Sequence, residues 1–334
     1  MNKEFQMLAK TFKGLEQVLA GELIELGANN VQIERRAVSF TGDKRMLYSA
    51  NFCLRTASRI LVPIANFKAK TTDEIYEQVK QLDWASYMTA KTTFQIDATV
   101  YSDLFRHSQF ITYRVKDAIV DWWMAHGGVR PSVQLTNPDI YINVHIAGDV
   151  VTLSLDSSGE SLHKRGYRVA NTQAPINEAL AAGMLLLAGW KGESDFYDPM
   201  CGSGTIPIEA ALIARNIAPG VFRKEFAFEK WNDFDQELFD SIYNDESNER
   251  EFTHKIYGYD NNPKANEIAI RNVKAAGLSK DIELKIQAFQ QFEQPTEKSI
   301  IVTNPPYGER ISTDDLLGLY QMIGERLKHA FTGN

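Results

Sequence analysis

The sequence predicts an α/β protein made of two differently organised regions. In residues 1–170, short strands and helices are interleaved, which is typical of an α+β region on a small antiparallel or mixed sheet. From about residue 171 the pattern changes to a regular alternation of strand and helix, which a parallel sheet requires. The chain has 334 residues, enough for two or three globular domains at roughly 100–200 residues per domain.

In the first region, alternation of apolar and polar residues predicts strands, and apolar residues at helical spacing predict helices. The first helix is expected from Leu15 to Leu26, because Gly27 then ends the pattern. Gly148 and Asp149 separate two alternating stretches, which predicts a hairpin. The other predicted strands and helices cover residues 5–9, 31–33, 38–40, 60–64 and 94–100 (strands), 140–146 and 151–155 (the hairpin), and 73–82 and 108–125 (helices).

In the second region, the pattern predicts strands at 195–197, 256–259, 282–286 and 299–302. The helices before, between and after them are expected at 176–187, 206–213, 266–276 and 316–330. The stretch between Phe222 and His254 contains a highly charged run, too polar for a core segment. We therefore expect that stretch to form a solvated lid or loop.

Composition limits the class of protein. A chain with 44% hydrophobic and 24% charged residues is neither disordered nor collagen-like. The longest apolar stretch, residues 179–190, is far shorter than the ~20 residues that cross a bilayer, so no membrane partner is expected. The first residues lack the apolar core of a signal peptide, and the only cysteines are Cys53 and Cys201. These observations predict a reduced, cytoplasmic protein with no disulfide framework and no metal site.

The charge is unevenly distributed along the chain. The net charge is −7, but residues 1–170 hold 20 Lys and Arg against 18 Asp and Glu. Residues 171–334 hold 16 basic against 25 acidic residues. The first region is therefore the better candidate for contact with a polyanion.

The first chemical motif is D-P-M-C-G-S-G-T at residues 198–205, between a predicted strand and a predicted helix. Gly202 and Gly204 permit a tight turn to which a ligand can approach closely. The following helix offers unpaired backbone N–H groups to such a ligand. Position 207 is Pro207, so the dinucleotide-binding pattern G-x-G-x-x-G is not present. A glycine turn without any ligand is the alternative.

The second motif, Gly258-Tyr259-Asp260-Asn261, ends the next predicted strand. A carboxylate there is placed to accept hydrogen bonds from the two hydroxyls of a ribose. The alternative is that Asp260 is only the N-cap of the following helix.

The third motif, Asn304-Pro305-Pro306-Tyr307, follows the predicted strand at 299–302. Consecutive prolines hold the backbone extended and have no N–H donors, so only carbonyl oxygens face a ligand. The Asn304 side chain adds an acceptor for an amino group, and Tyr307 offers a ring on which a base can stack. A tight surface turn is the alternative.

These three motifs, in this order, resemble motifs of the class I S-adenosylmethionine-dependent methyltransferases, which have a Rossmann-like fold. The N-P-P-Y form is similar to that of enzymes that methylate adenine N6, guanine N2 or a glutamine side chain. Residues 107–121 resemble part of a THUMP domain, an RNA-binding module, and the segments 162–168 and 173–178 resemble the linker and entry helix of the same enzymes. Over essentially the whole chain, the sequence resembles bacterial 23S rRNA guanine-N2 methyltransferases of the RlmL type.

The resemblance implies a ferredoxin-like domain at 1–57, a THUMP domain at 58–157 and a methyltransferase domain at 158–334. It also implies S-adenosylmethionine as cofactor and RNA as partner, with rRNA or tRNA both possible. The family normally has three more strands than this sequence offers after Asn304, so we expect the chain to be truncated at its C-terminus. An idle RNA-binding or assembly factor with the same fold is a further alternative, as is methylation of a DNA adenine.

Residue by residue, the resemblance places the methionine end of the cofactor on Pro175, Asp198, Pro199, Met200, Cys201, Gly202, Ser203, Gly204 and Thr205. It places the ribose at Asp260, in the segment that includes Asn261. Asn304 and the Pro305 carbonyl, with Pro306 beside them, are expected to hold the guanine amino group, and Tyr307 to stack on the base. The family often has an acidic residue on the adenine side, where this chain has Gln287-Ala288-Phe289. Gln287 is expected to offer an amide oxygen and Phe289 to pack on the adenine.

Basic residues of the first region and the linker are candidates for phosphate contacts, with an ordinary solvated surface as the alternative. These candidates are Arg106, His107, Arg114, Lys116, Lys164, Arg165 and Arg168.

Overall fold

The structure, a computed structural model, describes residues 4–171, 175–293, 298–307 and 313–330. The chain forms two compact units. The first unit comprises residues 1–162 together with 224–244, and the second comprises residues 163–223 and 245–334. Among the residues described, no helix combines the length and the apolar character needed to cross a membrane.

The first unit is built on a seven-stranded sheet in the order β2-β3-β1-β4-β7-β6-β5, in which only β5 and β6 are parallel neighbours. Its strands are β1 (Phe5–Lys10), β2 (Asn29–Glu34), β3 (Ala37–Gly42), β4 (Arg59–Lys68), β5 (Phe94–Tyr101), β6 (Ile140–Ala147) and β7 (Val150–Asp156). Its helices are α1 (Glu16–Glu25), α2 (Lys44–Cys53), α3 (Thr72–Lys80), α4 (Ser108–Gly127) and α7 (Gln236–Tyr243).

All the strands and helices predicted for the first region are confirmed, and α2 and α7 are additional. Strand β4 is longer than expected because its pairing with β7 shifts register between Pro63 and Ala65. This bulge lets the strand continue past a proline, which lacks the N–H that a regular ladder needs. Gly148 adopts φ 64° in the predicted hairpin turn between β6 and β7.

Helix α4 covers one face of the sheet. Ile111, Val115 and Ala118 recur at helical spacing and are buried. Trp84 lies in the same core, where its indole N–H donates to the Val79 carbonyl at 3.0 Å. The long predicted amphipathic helix therefore has the packing role that its pattern indicates.

The second unit is built on a parallel four-stranded sheet in the order β10-β9-β8-β11. Its strands are β8 (Asp195–Asp198), β9 (Ile256–Asp260), β10 (Ile282–Ile286) and β11 (Ser299–Ile301), and its helices are α5 (Glu178–Leu187), α6 (Thr205–Ala214), α8 (Pro263–Ala275) and α9 (Thr313–Ala330). Every residue of α6 is buried. The predicted alternation of strand and helix on a parallel sheet is confirmed.

The segment 224–244 corrects the expectation of a solvated lid. It belongs to the first unit, where Phe228 stacks on Tyr48 with 4.4 Å between ring centroids. Phe239 of α7 makes an edge contact with Phe52 and is 6% exposed. The expectation of a solvated lid was wrong because the aromatic residues of this polar segment are spaced so that one side of it is buried. Residues 245–251, in contrast, are exposed.

The hydroxyl of Tyr48 accepts a hydrogen bond from the backbone N–H of Asp235 at 3.0 Å, at the start of α7. Burial raises the pKa of Tyr48 to about 12, so the phenol stays neutral. We expect Tyr48→Phe to cost about 1 kcal/mol at this contact, which corresponds to roughly fivefold faster amide exchange in α7. The measurement is hydrogen exchange resolved by peptide. Tyr243→Phe, at a ring that is 43% exposed, is the control. Unchanged exchange in Tyr48→Phe would show that this bond does not hold the segment.

Candidate active site

The three sequence motifs meet at one edge of the parallel sheet. Asp198 at the end of β8 lies opposite Gly258 of β9, and Tyr197 lies opposite Ile301 of β11. Because the strands are parallel, the segments that leave their carboxyl ends lie side by side. Strand β8 is therefore flanked by the second motif on one side and the third motif on the other.

The glycine turn takes the backbone shape that its sequence predicts. Gly202 and Gly204 have φ values of 55° and 82°, which side chains rarely tolerate. A Cβ at Gly204 would lie 3.2 Å from the Cβ of Ala269 on α8. The Cys201 N–H donates to the Tyr259 carbonyl at 2.8 Å, which ties the turn to β9. The turn delivers the open N-terminus of α6 to the sheet edge.

Asp198 is the buried charge of this site, with 1% exposure. Its Oδ1 accepts hydrogen bonds from the Met200 N–H at 3.2 Å and the Thr303 hydroxyl at 2.7 Å. Its Oδ2 is buried and has no hydrogen-bond partner among the described residues. Burial, with a smaller effect of Asp260, raises the pKa of Asp198 to about 7. A buried carboxylate oxygen in this state fits a cationic donor such as an ammonium group.

Asp260 holds the glycine turn to β9. Its Oδ2 accepts from the Gly202 N–H and its Oδ1 from the Asn262 N–H, each at 2.9 Å. The alternative that Asp260 caps the next helix is wrong. Asn262 is the N-cap of α8, and its side chain accepts from the N–H groups of Lys264 and Ala265. Asn261 lies between these two residues and is exposed.

Asn272 supports the turn, although it was not among the site residues predicted from the sequence. This residue of α8 is 1% exposed, and its amide NH2 donates to the Ser203 carbonyl at 3.0 Å. Its Oδ1 accepts from the backbone N–H groups of Val169 and Ala170. A signal was present, because Asn272 shares the buried face of α8 with Ala265 and Ala269.

The third motif leaves β11 as an extended segment. Asn304, Pro305 and Pro306 are half-buried, whereas Tyr307 is 57% exposed. The Val302 N–H donates to the Tyr197 carbonyl at 3.2 Å, which carries the pairing with β8 one residue past the strand. The segment thus begins beside Asp198 and ends in an exposed aromatic ring.

On the side expected to meet an adenine, the structure differs from the sequence expectation at Phe289 but not at Gln287. The Gln287 side-chain NH2 donates to the Gln291 carbonyl at 2.7 Å. Phe289 is 4% exposed and packs in a core cluster with Tyr197 and Tyr259. The expected packing of Phe289 on an adenine is therefore corrected, because its ring fills the core. Ala288 lies beside it, at the start of a short 3-10 turn.

Pro175 directly precedes Ile176, whose carbonyl accepts a hydrogen bond from Arg168 at 3.0 Å. The same guanidinium group donates to the Thr205 hydroxyl at 3.0 Å and forms an ion pair with Glu178 at 3.1 Å. Arg168 therefore joins the entry segment of α5 to the first residue of α6. It supports the glycine turn, which its sequence assignment as a phosphate contact did not anticipate.

Arg165 also lies elsewhere than expected. Its side chain is 1% exposed, with its Nε 3.4 Å from the Glu209 carboxylate. The Tyr167 hydroxyl donates to the same carboxylate at 2.9 Å. The expectation of a phosphate contact is wrong for Arg165, because the residue is buried in an ionic network. Lys164, next to it, is exposed.

The remaining basic candidates lie on the first unit, around α4. An open depression of about 500 Å³ at the start of α4 is lined by Arg106, His107, Ser108, Gln109, Phe110 and Tyr113. Arg114 lies over the Tyr76 ring at 4.6 Å and pairs with Asp73 at 2.5 Å. Lys116 pairs with Asp117 at 2.5 Å. Arg106 and His107 are brought together, whereas Arg114 and Lys116 have acidic partners.

Profiles of three protein families match the chain. The first, described as an RlmL ferredoxin-like domain, matches residues 6–61, and a THUMP domain matches residues 69–156. The third, described as an RMKL-like methyltransferase domain, matches residues 165–334.

Two curated relatives illustrate the similarity. A presumed RNA methyltransferase of Synechocystis is 41% identical over 97% of this chain and 85% of its own length. The ribosomal RNA large subunit methyltransferase K/L of Syntrophotalea carbinolica is 40% identical over 100% of this chain. The chain spans only 48% of the length of that relative.

Two solved structures resemble the chain closely. One, titled a predicted N6-adenine-specific DNA methylase from Listeria monocytogenes, is 35% identical with a TM-score of 0.88, covering 98% of this chain and 86% of its own. The other, SMU.472, a presumed methyltransferase complexed with S-adenosylhomocysteine, is 33% identical with a TM-score of 0.88. It covers 99% of this chain and 88% of its own.

Proposed function

Because the chain belongs to the RlmKL-like family of S-adenosylmethionine-dependent RNA methyltransferases with a THUMP domain, we propose that it methylates the N2 amino group of a guanine in RNA. Support comes above all from the pairing of β8 with β11. This pairing sets a turn suited to the cofactor beside the acceptor-rich segment Asn304-Pro305-Pro306-Tyr307.

The residues at the end of β8 fit the cofactor. The unpartnered Oδ2 of Asp198 is suited to accept a hydrogen bond from the ammonium group of the methionine end. Residues 198–205, with Pro175, are assigned to that end, where the glycines leave room for close approach. Asp260 and Asn261 are assigned to the ribose, since each Asp260 oxygen retains a lone pair after accepting one backbone N–H.

The segment after β11 fits a planar amino group. The side-chain oxygen of Asn304 and the carbonyl of Pro305 are assigned to accept its two hydrogens, while neither Pro305 nor Pro306 has an N–H that would compete. The exposed ring of Tyr307 is assigned to stack on the base. These contacts turn the lone pair of the nitrogen toward the methyl group.

S-adenosylmethionine supplies an electrophilic methyl group on a sulfonium sulfur when it is bound. The amino nitrogen would take this methyl group as the carbon–sulfur bond breaks, and it would then lose one proton to solvent. The residues named above orient the two reactants, and this orientation accounts for most of the expected rate enhancement. No step requires a strong base or a metal ion.

RNA is proposed as the substrate on the basis of the THUMP match and the names of the relatives. We assign residues 1–57 and 58–157 as the ferredoxin-like and THUMP domains, with 158–334 as the methyltransferase domain. Arg106 and His107, at the depression on α4, are the proposed phosphate contacts of the THUMP domain, together with the exposed Lys164 of the linker. Ribosomal RNA is preferred over tRNA, since the K/L relative is named for the large ribosomal subunit.

The experiment is methyl transfer from labelled S-adenosylmethionine to total RNA from cells that lack the gene, followed by size separation and digestion to nucleosides. We expect label in N2-methylguanosine from the large rRNA. Label in tRNA would show that the substrate is tRNA and not rRNA, with the same methylation reaction. Label in N6-methyladenosine, or in a DNA control, would contradict guanine as the substrate. Saturable cofactor binding without any transfer would favour an idle assembly factor.

Variants at two basic residues of the linker, Arg168 and Lys164, distinguish support of the cofactor site from RNA binding. We expect Arg168→Met to weaken cofactor binding about tenfold, because Thr205 loses a hydrogen-bond donor and Glu178 loses its ionic partner. The matched variant Lys164→Met removes an exposed charge and is expected to weaken RNA binding and reduce its salt dependence by about one ion. Calorimetry with S-adenosylhomocysteine and RNA titrations at several salt concentrations measure both. If Arg168→Met instead weakened RNA binding and left cofactor binding unchanged, Arg168 would be a phosphate contact, as the sequence predicts.

A further inference from the structure

Thr303 is the last residue before the segment assigned to the amino group. Its hydroxyl donates to the Asp198 carboxylate at 2.7 Å, and the contact joins positions 105 residues apart. This side-chain hydrogen bond to β8 is made directly before Asn304, at the point where the segment begins. Pro305 and Pro306 then contribute no backbone N–H to any ladder. The Thr303 hydroxyl is thus placed where it can fix the start of the segment.

The Asp198 carboxyl group has two different sides. Its Oδ1 is tied to Thr303 and to the Met200 N–H, whereas its Oδ2 is buried without a partner among the described residues. Both oxygens belong to one rigid planar group. A cation that binds Oδ2 therefore fixes the rotation of the carboxyl group and keeps it ionised. The hydrogen bond from Thr303 then becomes charge-assisted, which makes it roughly twice as strong as a neutral one.

We propose that Thr303 is a positioning residue that couples occupation of the cofactor site to the placement of Asn304. With the cofactor bound, the Thr303 hydroxyl is held by an ionised Asp198, and the backbone of Asn304 is fixed beside it. Without the cofactor, the hydroxyl bond is weaker and the segment is less ordered. This inference rests on the proposed function of the same site.

The experiment compares the wild type with Thr303→Val, which keeps the shape but loses the hydroxyl, and with Thr303→Ser, which keeps the hydroxyl. In the wild type, saturating S-adenosylhomocysteine is expected to slow amide exchange in peptides that cover residues 300–307. In Thr303→Val this protection is expected to be lost, and kcat is expected to fall 10-fold to 100-fold with KM for RNA nearly unchanged. Thr303→Ser is expected to keep both properties within about threefold of the wild type.

Three results would overturn the coupling. The first needs no variant: wild-type exchange in residues 300–307 that does not respond to S-adenosylhomocysteine. The second is turnover and protection in Thr303→Val that equal those of the wild type. The third is a defect in Thr303→Ser as large as that in Thr303→Val. Exchange in α6 reports whether the variants are folded. Failure of the proposed function is distinguishable, since it appears as absent cofactor binding or absent transfer in the wild type.

Discussion

Replacing Asn304 by alanine is expected to reduce kcat at least 100-fold while the affinity for S-adenosylmethionine stays within a few fold of the wild type. The side-chain oxygen is the one side-chain acceptor assigned to the target amino group, and its loss leaves that group misoriented. Single-turnover transfer to RNA and calorimetric titration of S-adenosylhomocysteine measure the two quantities separately. Unchanged turnover would remove Asn304 from the site.

The neighbouring Tyr307 provides the matched contrast. Tyr307→Phe keeps the exposed ring and is expected to retain most of the activity, whereas Tyr307→Ala loses the stacking surface. Stacking of one base on an aromatic ring contributes about 1–3 kcal/mol, so the alanine variant is expected to lose about 5-fold to 150-fold in kcat/KM. Equal effects of the two substitutions would contradict a stacking role.

Replacing Asp198 by asparagine is expected to weaken cofactor binding about 100-fold at pH 8. Asparagine has nearly the same shape and retains an acceptor for Thr303 and Met200, but its NH2 group takes the place of the buried Oδ2. An ammonium ion then loses its anionic partner, which costs about 2–3 kcal/mol. Asp195→Asn, at the other end of the same strand, is the control and is expected to bind normally.

The pH dependence follows from the same carboxyl group. Burial raises the pKa of Asp198 to about 7, so below that pH the group is increasingly neutral. Cofactor affinity of the wild type is therefore expected to fall as the pH drops from 7 to 5, whereas that of Asp198→Asn stays flat. The stability of the unliganded protein is expected to change with pH in the opposite direction. Because burial raises the carboxyl pKa, this group contributes stability that is lost as the pH rises through 7. Unliganded Asp198→Asn is thus expected to melt above the wild type at pH 8.

The sequence predicted the parallel sheet and the motif positions well, because both depend on local patterns. The alternation of strand and helix fixes which strand ends share an edge, so the meeting of Asp198, Asp260 and Asn304 at one edge follows from topology alone. The glycine turn was equally predictable, since glycine adopts the positive φ values at Gly202 and Gly204 more readily than residues with a side chain do.

Contacts between distant parts of the chain were not predictable. Arg165 and Arg168 have the composition of a phosphate-binding linker, and only the fold shows that Glu209 and Glu178 pair with them. Phe289 follows a strand as a ligand-facing residue would, but it fills the core instead. The sequence of a segment does not show which group its charged residues pair with. A basic residue that pairs with a buried carboxylate supports the fold instead of contacting a phosphate.

The aromatic contact of segment 224–244 with the first unit has a consequence for biosynthesis. Tyr48 and Asp235 are separated by 187 residues, so the face that includes Tyr48 and Phe52 stays uncovered until the ribosome has made the chain to about residue 244. Residues 163–223 of the second unit have been synthesised by then. The first unit therefore cannot complete its fold as an early, independent product, and a fragment that ends at residue 162 would expose an aromatic surface prone to aggregation. A useful expression fragment of that unit needs segment 224–244 joined to residue 162 by a short linker.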